Sequence, residues 1–453
     1  MTDDTFRSEV TPFGGWVRDR KDRLVPVQTA PHIGCFAMSG IGKTKGWLAQ
    51  SAVMWPGPAL VSSSKDDIWQ LVSSRRYSAD KNTYVVDLRS IDLPEIPGVI
   101  RCQYDPTRLI DSFDDAKHLA QVLLSVSGVA LKGGYRASSN NDTWDKLGMA
   151  PLACLLWAAS RQCTNGGISW VLAAAENVEV PLDKNGNAIY NRSGVSWAAA
   201  SCWTPEPIFA LRTRRVLEYN AKMRDSVALG ITDVLTPWLL TNERNAPLPY
   251  LTTAWLNDNS STVYLLSTDD GTTAGQAITL VDHLITLQRQ KTAKGEDRPR
   301  LGLFLDEIAN TPIPMLPKYL TESRELGCNI CFAAHAGSQL DSVYGSLQGK
   351  TIRDVVPAAL LLKGSHEQDI LASAAAWAGK TTRTHFGYGS DGESRSQHRS
   401  FENALELEEL MPRNIGEGRL VVRGSPGTKV TLLDWPVFVK YIDELNRLRA
   451  AQK

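Results

Sequence analysis

The stretch I-G-C-F-A-M-S-G-I-G-K-T, residues 33–44, decides how this chain is read. Ile33 to Ala37 form a short apolar run, a loop with glycine at 40 and 42 follows, and an amphipathic pattern begins at Lys45. That order is strand, glycine loop, helix. A-M-S-G-I-G-K-T, residues 37–44, has the make-up of a phosphate-binding loop. Such a loop needs backbone N–H groups around the anion, a helix N-terminus behind it, a lysine on the outer phosphates and a hydroxyl for Mg²⁺. Ser39, Gly40, Ile41, Gly42, Lys43, Thr44 and Lys45 are the candidate phosphate contacts. Gly40 and Gly42 permit the tight backbone, Lys43 supplies charge and Thr44 the hydroxyl. The departure is Ala37, which stands where the motif has its leading glycine; it is expected to cost backbone freedom while keeping every direct ligand.

Outward from the loop, strands and helices alternate. W-P-G-P turns the chain at 55–58, A-L-V-S-S-S reads as a strand, K-D-D-I-W-Q-L-V-S-S-R-R as a helix and N-T-Y-V-V-D-L as a third strand. This alternation predicts a mainly parallel sheet covered on both faces, an α/β architecture. From about Asp105 to Pro249 the patterns are almost all helical, which predicts a mainly helical insertion at 105–249. The nucleotide-binding part then comprises 31–104 and 250–453, with 1–30 as an extended arm or edge strand. Later strands are read at S-T-V-Y-L-L-S, L-G-L-F-L-D-E, N-I-C-F-A-A and A-A-L-L-L-K. The polar stretch T-H-F-G-Y-G-S-D-G-E-S-R-S-Q-H-R-S, 384–400, reads as a mobile loop or a long-tipped hairpin, and G-R-L-V-V-R with T-K-V-T-L-L-D-W as a closing hairpin.

The second chemical signal is L-G-L-F-L-D-E, residues 301–307. Two adjacent carboxylates after a buried strand are costly unless a cation offsets them. Beside a phosphate loop, Asp306 is the metal-shell candidate with Thr44, and Glu307 the candidate base that orients or deprotonates an attacking water. Gln339, just past the following strand, either senses a γ-phosphate or holds water, or is an ordinary helix-capping polar residue. Arg324 is a candidate finger toward a neighbouring subunit's nucleotide, against the ordinary reading of a solvated helix face. His335 has no partner at useful spacing and reads as a satisfied buried histidine.

Composition narrows the class. Lysine plus arginine and aspartate plus glutamate are 49 each, so net charge gives a nucleic-acid partner no support. A ring that concentrates positive charge in its pore escapes that argument. The seven cysteines are irregularly placed; Cys328 and Cys331 lie in an apolar run and read as core residues in a reducing compartment. No signal peptide is visible, and no run approaches the roughly 20 apolar residues of a membrane helix, so the expectation is a soluble, cytoplasmic chain.

Several segments resemble the TraG/TraD-like coupling proteins of conjugation and type IV secretion, relatives of the FtsK–HerA-type P-loop ATPases. They are S-G-I-G-K-T-K-G-W-L with W-P-G-P-A-L-V-S-S-S-K-D-D-I, then N-D-T-W-D-K-L-G, then F-L-D-E-I-A-N-T-P-I-P-M-L-P-K-Y-L-T-E-S-R-E-L-G-C-N-I with S-Q-L-D-S-V-Y-G. The resemblance runs from about residue 33 to 435 and is most specific from Asp306 to Gly345. It implies a RecA-like P-loop NTPase domain with an inserted all-α domain, working as a homo-hexamer with ATP and Mg²⁺. The implied activity is ATP hydrolysis that recruits or drives a DNA–relaxase substrate into a secretion channel. Implied partners are single- or double-stranded DNA, a relaxase or other secretion substrate, and a membrane-embedded channel or anchor at the cytoplasmic face of the inner membrane. It carries Lys43, Thr44, Asp306, Glu307 and Gln339 into the family's site roles, and Arg324 into an intersubunit one. The family usually carries an N-terminal membrane anchor, which this sequence does not show. Two other readings stay open: a soluble hexameric DNA translocase of the HerA/FtsK type, and a nucleotide-gated adaptor with little hydrolysis.

Overall fold

The computed structural model describes residues 10–76, 83–89, 97–126, 141–245, 247–296, 298–322, 325–365, 367–388 and 395–451, with backbone only at 141–145, 242–245, 383–388, 395–400 and 449–451. Strands β1 (Trp16–Arg18) and β2 (Leu24–Pro26) precede β3 (Ile33–Phe36), which feeds the glycine loop and a π-helical turn, Lys43–Leu48, continuing into α1 (Ala49–Met54). Then come β4 (Ala59–Ser63), α2 (Asp66–Arg76), β5 (Thr83–Asp87) and β6 (Val99–Arg101). Six helices follow: α3 (Phe113–Val126), α4 (Asn141–Ala159), α5 (Gly167–Ala175), α6 (Trp197–Trp203), α7 (Pro207–Leu217) and α8 (Ala221–Asn245). The chain returns through β7 (Thr262–Leu266), α9 (Ala274–Ala293), β8 (Leu301–Leu305), α10 (Leu316–Thr321), β9 (Cys328–Ala334), α11 (Gly337–Tyr344), α12 (Ser346–Val355) and β10 (Ala358–Leu362). It closes with α13 (Gln368–Ala378), the hairpin β11 (Lys380–Tyr388) and β12 (Arg395–Asn403), α14 (Leu407–Leu410), β13 (Glu417–Val422), β14 (Thr428–Thr431) and α15 (Trp435–Ala451).

The main sheet runs β2-β1-β14-β13-β10-β3-β9-β8-β4-β7-β5-β6 among the described residues. Every pairing from β10 to β6 is parallel. The other edge, β13, β14, β1 and β2, is antiparallel. The sequence's arm is therefore in part an edge hairpin of this sheet. The stretch 384–400 belongs largely to a separate two-stranded antiparallel sheet, β11 with β12; the expected tip, 389–394, lies outside the described residues.

Both faces of the parallel region are covered, which is why its strands read as continuous apolar runs. Alternation assigns the faces: Leu60, Leu303, Leu305 and Phe332 enter one core, while Ala59, Val61, Phe304 and Cys331 enter the other. The first core continues without a break into α4, α5 and α8 through Leu155, Val171 and Leu235, so the helices between β6 and β7 share apolar packing with the sheet. Cys328 and Cys331 are fully buried in β9 and unpaired. Arg76 locks the end of α2 beneath the second face: its guanidinium donates to the carbonyls of Ala52, Trp55 and Gly57 and to Thr262 Oγ1, at 2.6–2.9 Å.

At the centre, β9 lies between β3 and β8. Gly34 in β3 lets the Phe332 ring of β9 lie over the backbone, since an added Cβ would sit 2.5 Å from Phe332 Cζ. The ring in turn packs edge-on against Phe36, centroids 6.0 Å apart. Gly34→Ala must displace that ring inside a filled core and is expected to destabilise the chain by about 1–3 kcal/mol. Urea unfolding of wild type and variant measures the difference.

Candidate nucleotide-binding site

Three strand ends, β3, β8 and β9, deliver the site residues to one side of the sheet, as parallel strands with covered faces do. After β3 the loop turns on Gly40 (φ +78°) and Gly42 (φ +95°). A Cβ at either would meet nothing within 4 Å, so backbone conformation, and not space, demands glycine there. Ala37 is different. It is not among the described residues with left-handed backbone, it is fully buried, and its N–H donates to Ala334 O at 3.2 Å. The expected cost of backbone freedom at Ala37 therefore has no counterpart in this conformation.

Gly42 starts the helical turn with no side chain capping it. The first N–H groups of a helix have no intrahelical acceptor, and together with the macrodipole they favour an anion. The cavity in front of them is lined by Ser39, Gly40, Gly42, Lys43, Thr44 and Lys45, and from the other strand ends by Asp306, Glu307 and His335. Ile41 packs its side chain on the apolar cluster behind the loop. The structure thus brings the loop and the carboxylate pair together. Gln339 sits beside them, its Oε1 accepting from the His335 backbone N–H at 3.0 Å. Arg324 lies outside the described residues.

Asp306 is 6% exposed, and the hydroxyls of Thr44 (3.2 Å to each carboxylate oxygen) and Ser63 (3.3 Å) donate to it. None of the described ion pairs involves it. Burial, and next the neighbouring Glu307 charge, push its carboxyl up to about 6. A buried carboxylate flanked by a threonine hydroxyl is an oxygen donor set suited to Mg²⁺, and it lacks the positive charge that such an ion brings. The residues present fit the ion.

Glu307 is held differently. Its φ is +53°, a left-handed backbone rare for a side chain of this size. Lys65 Nζ donates to Oε1 at 3.0 Å and Asn310 Nδ2 to Oε2 at 2.9 Å. Burial would raise this carboxyl, but Lys65 and His335 outweigh it and hold it below the usual glutamate value. Lys43 is buried too, which lowers its ammonium's proton affinity. Its Nζ donates to Ala37 O (2.6 Å), Met38 O (3.1 Å) and His335 Nδ1 (2.8 Å).

Sequence reasoning missed two members of this cluster. His335 is not a satisfied core histidine: its side chain is 32% exposed and faces the cavity. Lys65, within S-S-S-K-D-D at 62–67, carries no motif that marks it as a site residue. Its place just after the strand that follows the phosphate-loop helix was the available signal; the structure sets that strand end, β4, beside the β8 end.

Fold and site geometry together are those of the RecA-like P-loop fold. One segment of the chain also matches a family that the sequence resemblance named. Residues 300–414 match the family model described as the TraM recognition site of TraD and TraG. The fold is similar to that of the bacterial conjugative coupling protein TrwBdeltaN70 in its unbound monoclinic form: TM-score 0.58, 16% identity, covering 94% of this chain and 89% of that one. TrwB in complex with the non-hydrolysable ATP analogue ADPNP matches at TM-score 0.54 and 15% identity, covering 90% and 86%. TrwB with ADP and Mg²⁺ matches at TM-score 0.53 and 14% identity, covering 90% and 87%. No curated protein matches the chain.

Two outcomes follow from the carboxylates. A left-handed backbone costs a side chain with a Cβ about 1 kcal/mol relative to glycine. Glu307→Gly is therefore expected to unfold at higher urea than Glu307→Ala, with equal stability contradicting the left-handed geometry. For Asp306 the folded carboxyl lies at about 6, above its ordinary value of 3.8. Below both values the group is neutral folded and unfolded, and it exerts no penalty. As pH rises through about 6 the folded state must carry the buried charge, at a cost on the order of 3 kcal/mol. Without divalent ions, Asp306→Asn should be more stable than wild type at pH 8, and that advantage should vanish by pH 4.

Proposed function

We propose that this chain is an ATP-hydrolysing coupling protein that recruits or drives a DNA–relaxase substrate into a type IV secretion channel. The observation that carries the reading is the meeting of a glycine-turned phosphate cradle with a buried, cation-deficient carboxylate, Asp306, on the neighbouring strand end. The TraG/TraD family match over 300–414 supports the choice of machinery.

In this reading Ser39 to Lys45 wrap the phosphates through backbone N–H groups, and Lys43 neutralises the outer ones. Thr44 and Asp306 would hold Mg²⁺, which when bound offsets charge on the phosphate oxygens. Glu307 orients the attacking water and accepts its proton. Gln339, in the first turn of α11, reports the presence of a γ-phosphate. Arg324 completes the site of a neighbouring subunit in a homo-hexameric ring. Residues 31–104 and 250–453 form the nucleotide-binding domain and 105–249 an inserted domain that meets the cargo. This reading places the chain at the cytoplasmic face of the inner membrane through a partner; among the described residues no helix is long and apolar enough to cross a membrane. One observation favours the adaptor reading instead: both carboxylate oxygens of Glu307 already accept hydrogen bonds, from Lys65 and from Asn310.

Steady-state ATP hydrolysis separates the two. The coupling reading expects turnover stimulated by single- or double-stranded DNA. Turnover should fall by about 100-fold or more in Lys43→Ala and in Glu307→Gln. Nucleotide binding with no turnover under any DNA condition makes the chain a nucleotide-gated adaptor.

A further inference from the structure

The Lys43 ammonium has three protons, and three acceptors occupy them here. Two are carbonyls of its own loop, Ala37 and Met38; the third is a side chain from another strand end, His335 Nδ1 at 2.8 Å. A nucleotide phosphate can reach Lys43 only if at least one acceptor gives way, and the imidazole is the one not built into the loop. Accepting at Nδ1 from an ammonium places the ring proton on Nε2. That nitrogen lies 3.4 Å from Glu307 Oε1. One ring therefore touches the phosphate-binding cation with one nitrogen and the candidate base with the other. Its backbone is set by Gln339, whose Oε1 accepts from the His335 N–H.

We propose that His335 is a positioning residue that links phosphate binding to the placement of Glu307. With the site empty, Nδ1 holds Lys43 and competes with phosphate for it. When phosphate takes the ammonium, the ring is released on that side, and its remaining contact, Nε2 with Glu307 Oε1 at 3.4 Å, orients Glu307. This rests on the reading of the cavity as an ATP site. It gives the site a device by which an outer phosphate is felt at the base, through direct contacts within one cluster.

The two nitrogens can be tested separately, because asparagine places an acceptor near the Nδ1 position and glutamine a donor near the Nε2 position. Equilibrium binding of ATP and ADP, and kcat, are measured for wild type and for His335→Ala, His335→Asn and His335→Gln, with thermal unfolding checked for each. Removing the competitor for Lys43 should tighten nucleotide binding about three- to ten-fold in the Ala and Gln variants and leave Asn near wild type. Removing the contact to Glu307 should lower kcat about ten-fold in Ala and Asn, and less in Gln. A purely structural histidine would weaken binding and lower kcat together in all three, which overturns the proposal. Asn and Gln variants that behave alike overturn it as well. Should wild type show no turnover, the hydrolytic reading falls, and the affinity order alone then decides: Ala and Gln tighter than wild type and Asn supports the linkage, and equal affinities refute it.

Discussion

The site depends on a buried carboxylate, Asp306, that no described ion pair reaches. Asp306 ends a strand whose side chains are buried on both faces, and hydroxyls from Thr44 and Ser63 are its hydrogen-bond donors. Those contacts join the end of β8 to the phosphate loop and to the end of β4, so three segments distant in sequence are drawn to one point. The cost of the arrangement is set by burial, and the sheet supplies that burial through two cores, one on each face. A divalent cation between Thr44 and Asp306 would turn a destabilising group into a binding determinant. In this account nucleotide binding and fold stability are therefore coupled at Asp306.

Around that point the molecule combines rigid and adaptable parts. β3, β9 and β8 are central, parallel and fully buried, so the backbone that carries Lys43, His335 and Asp306 is fixed by packing. The side chains at their ends are exchangeable: Lys43 has three acceptors, and Glu307 is reached by Lys65, Asn310 and, at longer range, His335. Lys65 is 58% exposed, and an ion pair of that kind contributes little to stability. It can be exchanged without unfolding anything. The left-handed backbone of Glu307 is local strain retained where a side chain must point in a fixed direction. The helices α3 to α8 pack into the same apolar core as one face of the sheet, which gives movement in that region a physical path to the strands that carry the site.

How much of this was legible in the sequence follows from the range of the forces involved. The glycine loop, the two-carboxylate strand end and the places of the central strands along the chain were readable, because two-sided burial writes itself as uninterrupted apolar runs and the loop's positive φ as glycine. The helical character of the region between β6 and β7 was readable from its periodicity. The β1–β2 edge hairpin was only half visible, since its strands are three residues each. His335 and Lys65 were not recognised because their partners lie 292 and 242 residues away in sequence, and only the sheet order brings them together. Arg76 escaped notice for the same reason: the pair Arg75–Arg76 at a helix end looks like solvated charge until the carbonyls Arg76 serves are known. The cost assigned to Ala37 came from the motif's form; the backbone at that position needs no glycine.

We infer that the cradle and Asp306 form one Mg²⁺–nucleotide site. Calorimetric titration of the chain with ATP, with and without Mg²⁺ and beside Thr44→Ala, tests it most directly. One ATP per chain is expected, bound markedly tighter with Mg²⁺, with that gain lost in Thr44→Ala. Binding that ignores Mg²⁺ in wild type, or no binding at all, would contradict it.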